Sequence, residues 1–188
     1  ISKRLEKGAL IINYTGHGGS KGLAHERVIR IEDILSWKNR NRLPLFMTAT
    51  CEFSRFDEYE ATSAGELVLL NPDGGGIALL TTTRLVYSVP NHSIQMQFYG
   101  HVFTRDEQNR NRRLGDIIRL TKNNVSAGIN KRNFSLLGDP AIELVYPRHR
   151  VKVESINGTP VDQPVDTLKA LSKVTVSGHM EDELGNRL

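Results

Sequence analysis

His17 and Cys51 are the residues of this chain whose types and surroundings could carry out covalent chemistry. His17 lies in IINYTGHGGSKG (residues 11–22), where an apolar run stops abruptly in glycines, and Cys51, the only cysteine, ends PLFMTATC (44–51). A thiolate is the attacking species in cysteine chemistry, and a nearby imidazole can take or balance its proton. Gly18 and Gly19 have no side chains, so N–H groups of their loop, with the N–H of Cys51, could hold a developing oxyanion. Each residue also has a plainer reading. A cysteine after an apolar strand is commonly an inert core filler, and a histidine in a glycine loop is commonly a hydrogen-bonded loop residue. One cysteine excludes an internal disulfide and any multi-cysteine zinc or iron–sulfur site. TGHGGSKG lacks the spacing of a phosphate loop, and Ser20 does not stand between glycines as a hydrolase nucleophile would. His17, His25, Cys51 and Asp57 have no metal-ligand spacing.

The elements that must position these groups are legible. Residues 9–14, 44–50 and 76–83 are mostly apolar and β-rich, as expected of strands buried on both faces. RIEDILSWKNRN between the first two places Ile31, Ile34 and Leu35 on one helical face. TSAGELVLLNPDGGG between the second and third carries the stripe Ala64, Leu67, Leu70, a cap at Thr62 or Ser63, and a stop at Asn71, Pro72 and the glycines. This is β-α-β-α-β, hence an α/β fold of parallel strands with right-handed crossovers. His17 and Cys51 then emerge at the carboxyl ends of neighbouring strands, the edge where open parallel sheets carry their sites. Two more helices follow, with Ile94, Phe98 and Val102 aligned in one and Leu114, Ile117, Ile118 and Leu120 in the other. AIELVYP (141–147) reads as a further strand. Beyond about residue 147 the pattern alternates, and RVKVESING, VDQPVDTL and SKVTVSGHMED read as the first strands of an antiparallel β-sandwich.

At 188 residues, 38% hydrophobic and 24% charged, the composition is that of a folded domain, and no apolar run is long enough to span a bilayer as a helix. Ile1 in place of methionine and the polar ending DELGNRL point to a piece of a longer protein. Two charged segments stand apart from the dyad. Glu52, Asp57 and Glu58 crowd the stretch after Cys51 and could form a calcium site or a wall of the substrate pocket. Residues 104–152 hold eleven Lys/Arg against five Asp/Glu, so Arg112, Arg113 and Arg119 could bind an anionic acceptor.

Five motifs in order, NYTGHGG, TATCEFSRFDE, GGGIALLTTTR, RRLGDIIRLTKNN and NFSLLGDPAIEL, resemble the gingipain-like (C25) cysteine peptidases over about residues 1–147. The resemblance implies a caspase-like parallel-sheet sandwich, of which residues 1–147 would be the C-terminal part. An incomplete immunoglobulin-like β domain would follow at 148–188. It implies a catalytic dyad of His17 and Cys51, with backbone N–H groups of Gly18 and Cys51 as oxyanion donors. Within the family the motifs look most like the signal peptidases of the type IX secretion system. That likeness implies removal of C-terminal secretion signals from exported cargo, with sortase-like transfer through a thioester to an amine on anionic lipopolysaccharide. It also implies an exported protein at the outer-membrane surface, working with other secretion-system subunits and without nucleic acid. No cofactor is required by the dyad. The acidic residue with which gingipains read a basic side chain comes from the upstream half of their domain, so specificity does not transfer. The alternative is a catalytically silent scaffold or binding module on the same fold.

Overall fold

The computed structural model describes residues 1–126, 128–164, 167–182 and 185–188, and these fall into two units, Ile1–Leu144 and Val145–Leu188. In the first unit the order is α1 (Ser2–Lys7), β1 (Ile11–Thr15), β2 (Gly18–Gly19), β3 (Gly22–Leu23), β4 (Ile29–Arg30), α2 (Ile31–Ser36) and β5 (Leu45–Ala49). It continues with α3 (Ala64–Leu70), β6 (Ala78–Thr82), α4 (Ser88–Val102), α5 (Leu114–Asn123), α6 (Ile129–Asn133) and β7 (Phe134–Leu137).

The apolar runs form one sheet in the order β1-β5-β6-β7, in which β1, β5 and β6 are parallel and β7 runs antiparallel beside β6. Every residue of β5 and β6 is buried, because helices must cover both faces of an inner strand in a sheet wound by crossovers. Phe46 and Leu79 point to the layer holding Leu5, Ile34, Trp37, Phe53, Ala64 and Val68. Helices α4 and α5 pack together, and α4 lies against β5. This is the mixed α/β, parallel-cored architecture of the caspase-like class.

Some expectations need correction. β1 is an edge strand with Asn13 and Thr15 exposed rather than a doubly buried one, and Gln95 of α4 donates hydrogen bonds to both (3.1 and 2.5 Å). In α2 only Ile34 is buried while Leu35 is 53% exposed, and in α3 the inward face is Ala64, Gly65 and Val68 while Leu70 is 64% exposed. These helices are one or two turns long, so a single crossing point, not a long stripe, decides what is covered. AIELVYP is not a strand. The strand lies one segment earlier, at Phe134–Leu137, because it must match five-residue β6, pairing Phe134 with Thr82 and Leu137 with Leu79. Gly138 then turns at φ +126°, where a Cβ would come within 2.7 Å of Ala78. Only glycine accepts that turn without strain.

The second unit contains β8 (Arg150–Ile156), β9 (Thr159–Pro160) and β10 (Val176–Glu181) in one antiparallel sheet of order β10-β8-β9, with a register shift at Ser177/Gly178. Of the expected middle strand VDQPVDTL, Val165 and Asp166 lie outside the described residues, and 161–163 form a turn instead.

Candidate active site

The loop carrying His17 leaves the carboxyl end of β1, and Cys51 leaves the carboxyl end of β5 after Thr50. Their strands are parallel neighbours in register, with Thr15 opposite Ala49 and the Gly16 N–H reaching the Ala49 carbonyl at 3.4 Å. Adjacent strands are about 4.8 Å apart, so the two loops begin side by side. They approach closely at Gly18. A Cβ there would lie 2.6 Å from Thr50 Oγ1 and 3.0 Å from the Gly22 carbonyl oxygen. The glycine beside His17 is thus what lets its loop lie against the residue preceding Cys51.

Each loop is fixed by its own bonds. The His17 carbonyl accepts from the Tyr14 hydroxyl (2.7 Å) and the Ala24 N–H (2.8 Å). Burial first, then the negative charge of Glu26, pushes the Tyr14 phenol up from its ordinary range, which keeps it protonated as a donor. The Ser20 carbonyl accepts from the N–H of Ala64 at the start of α3 (2.7 Å), tying the far end of the glycine loop to a helix. On the other side, Glu52 adopts φ +50°, an unusual turn for a residue with a Cβ. Ser54 N–H bonds the Thr82 carbonyl and Gly65 N–H the Phe53 carbonyl, so the chain doubles back under Cys51.

Beneath Cys51 lies a layer of hydroxyls that the sequence did not bring to notice. Thr48 Oγ1 donates to Thr81 Oγ1 (2.8 Å), Ser54 Oγ pairs with the same atom (2.9 Å), and Thr82 Oγ1 donates to the Thr50 carbonyl. All are buried. The signal was present as the hydroxyl-rich strand ends TAT and TTT, where apolar residues would otherwise be expected. A second support is a chain of buried amides. Asn91 Nδ2 reaches the Ala49 carbonyl (3.5 Å), Asn130 Nδ2 donates to Asn91 Oδ1 (3.1 Å), and Asn130 Oδ1 accepts from the Tyr87 N–H (2.7 Å). That chain holds the segment after β6, whose Val86 carbonyl accepts from Cys51 Sγ at 3.6 Å.

The thiol is partly buried and the His17 side chain is exposed. The His17 ring stands 5.9 Å from that of His25, tilted by 48°. Among the described residues the Cys51 N–H has no acceptor, leaving it available to a substrate oxygen.

The other expected site residues are placed differently. Glu52 and Glu58 each lie 3.5 Å from Arg55, and Asp57 makes a two-pronged pair with Arg84. The Arg84 hydrogen bonds hold the Asp57 carboxyl below its ordinary range. These carboxylates face guanidinium groups rather than one another, and no group of three His, Cys, Asp or Glu able to hold a metal ion occurs among the described residues. Arg112 donates to the carbonyl and hydroxyl of Thr104 (both 2.7 Å), while Arg113 and Arg119 flank Asp116 at 3.0 and 3.8 Å. Leu114 and Gly115, which come next in the chain, bond to Ile142 and Pro140 in the turn after β7. β7 runs opposite to β6, so that turn, with Arg112 and Arg113, belongs to the far edge of the sheet from Cys51. They are not beside the thiol.

The family model of peptidase family C25 matches residues 1–145. The chain belongs to this cysteine peptidase family. Its fold is similar to that of the Arg-specific cysteine proteinase gingipain R, at 18% identity and a TM-score of 0.64, over 80% of this chain and 38% of that one. It is similar also to the complex of the pro- and mature domains of Porphyromonas gingivalis RgpB, at 18% identity and a TM-score of 0.65, over 81% and 38%. A third structure, described as a protease, aligns over 98% of this chain and 48% of its own, with 14% identity and a TM-score of 0.66. The C25 chain thus spans less than half the length of these structures. No curated protein matches it by sequence. Among its described residues no helix is long and apolar enough to cross a membrane.

Proposed function

We propose that this C25 chain carries the catalytic dyad of a cysteine endopeptidase, with Cys51 as nucleophile and His17 as proton carrier. The observation that carries this reading is the Gly18–Thr50 approach, which sets the histidine loop against the strand end bearing the thiol. The Cys51 thiol gives its proton to the His17 imidazole, and the thiolate attacks the scissile carbonyl carbon. The carbonyl oxygen takes the negative charge and accepts from the N–H groups of Cys51 and Gly18. His17 returns the proton to the leaving amine as the C–N bond breaks, giving a thioester. Water, or a second amine, then attacks the thioester carbon and restores the thiol.

At finer resolution, the motif set supports a PorU-like role at the cell surface. The cargo's C-terminal secretion signal is removed, and the acyl group passes to an amine on anionic lipopolysaccharide.

The test is the rate of Cys51 alkylation against pH in the full-length protein, with and without His17→Ala. The expected result is rapid alkylation near neutrality that the substitution slows roughly tenfold. A second arm adds a free amine while an intact peptide is being cleaved and looks for the amide formed when that amine, in place of water, attacks the Cys51 thioester. A thiol that reacts alike whatever residue 17 is, still bound to the Val86 carbonyl, would favour the silent-scaffold reading.

A further inference from the structure

The strands β2, β3 and β4 form a small antiparallel sheet beside the His17 loop, and together with the start of α2 they line a cavity of about 550 Å³. Volumes of this order accept a ligand or a short stretch of substrate. The wall begins at Gly18 and Gly19, immediately after His17, and continues to His25, whose ring neighbours that of His17. It is charged. Lys21, Arg27 and Arg30 line it against a single carboxylate, Glu32. Arg30 lies 3.8 Å from Asp33, but the side chains of Lys21 and Arg27 make no hydrogen bond or ion pair among the described residues. The chain therefore keeps two unneutralised cations over a cavity that opens beside its proton carrier. By contrast, the acidic residues Glu52, Asp57 and Glu58 after Cys51 are all engaged by arginines.

Position decides what such a cavity would hold. The residue that protonates the leaving amine stands on the leaving-group side of the scissile bond, so a pocket beginning beside His17 receives the residues on the carboxyl side of that bond. β2 is the edge strand of its sheet, and its face at Gly19 is open, since a Cβ there would meet nothing within 4 Å. An edge strand can recognise an extended main chain by β-addition, which a saccharide does not possess.

We propose that the β2–β4 cavity is a specificity subsite for acidic side chains on the leaving segment of a peptide substrate, read by Lys21 and Arg27. The inference rests on the dyad reading above for its orientation, and it names the substrate class of that site.

The test uses full-length protein carrying Cys51→Ala, titrated with fluorescent peptides whose leaving segment carries Asp and Glu, Ala and Gln, or Lys. Acidic peptides bind about tenfold more tightly than neutral ones, the advantage shrinks with added salt, and Lys21→Glu with Arg27→Glu transfers the preference to the lysine peptide. In the protein with Cys51 intact, the same double substitution lowers the ratio of kcat/KM for acidic over neutral peptides about tenfold. Equal binding of acidic and neutral peptides, or a preference untouched by charge reversal, overturns the proposal. So does displacement of the acidic peptide by a phosphorylated saccharide that binds the cavity more tightly, which would assign it to an acceptor. Failure of the dyad reading shows separately, as no cleavage of any peptide by the unsubstituted protein, and leaves the binding result readable.

Discussion

The two edges of the central sheet handle charge and geometry in opposite ways. At the carboxyl edge, around His17 and Cys51, position is fixed by backbone approach, buried hydroxyls and a chain of buried amides. At the far edge, around Arg112, Arg113 and Arg119, the cleft of about 440 Å³ is lined by arginines, of which the exposed Arg110 pairs with Asp106 and the exposed Arg113 and Arg119 share Asp116. Exposed ion pairs are screened and adjustable, and each typically contributes about 0–1 kcal/mol. Buried polar groups lose several times that when a partner is removed. The richer cluster of charge is therefore not the more constrained place. The strand ends that carry the His17 and Cys51 loops are held by buried groups that solvent does not reach.

That contrast can be broken by substitution. The largest effect is expected of Gly18→Ala, whose methyl must displace the buried Thr50 side chain or the Gly22 carbonyl. A displacement of about 1 Å between catalytic groups can lower turnover about a hundredfold, so peptidase kcat should fall by that order with the fold retained. Unchanged kcat would mean that the Gly18–Thr50 contact does not set the dyad. Next comes Asn130→Ala, which strips partners from the Tyr87 N–H and the Asn91 amide. The expected loss is about 1–3 kcal/mol in denaturant unfolding, together with faster hydrogen exchange at Tyr87. The smallest effect belongs to the far edge. Arg113→Ala should change stability by no more than about 1 kcal/mol, and by less at high salt. A larger, salt-independent loss would show that this edge too is a fixed site.

Much of the fold comes from local pattern. The burial of Ile94, Phe98 and Val102 in α4 is what their spacing requires, and five-residue β5 and β6 sit where continuous apolar runs predicted doubly covered strands. Misreadings cluster where a local pattern had two uses. FSLL and AIELVYP have similar apolar content, but only the first can pair with β6 before Gly138 turns the chain. Leu35 and Leu70 fit helical stripes on helices too short to bury them.

The candidate site divides in the same way. Residue types and strand ends bring His17, Cys51 and the glycines forward as candidates, and the family resemblance implies their roles. Sequence proximity to Cys51 suggested a role for Glu52, Asp57 and Glu58, and charge density suggested one for the arginines. Tertiary structure adds what faces each of these charges. Arg55 and Arg84 come to the acidic loop, and the antiparallel turn of β7 carries Arg112 and Arg113 to the other edge. Lys21 and Arg27 line the cavity next to the His17 loop, and their side chains make no ion pair among the described residues. Spacing along a chain fixes which side chains share a strand or a helix face. Which loops meet across a sheet depends on strand order and direction, and those are set only when the whole core packs.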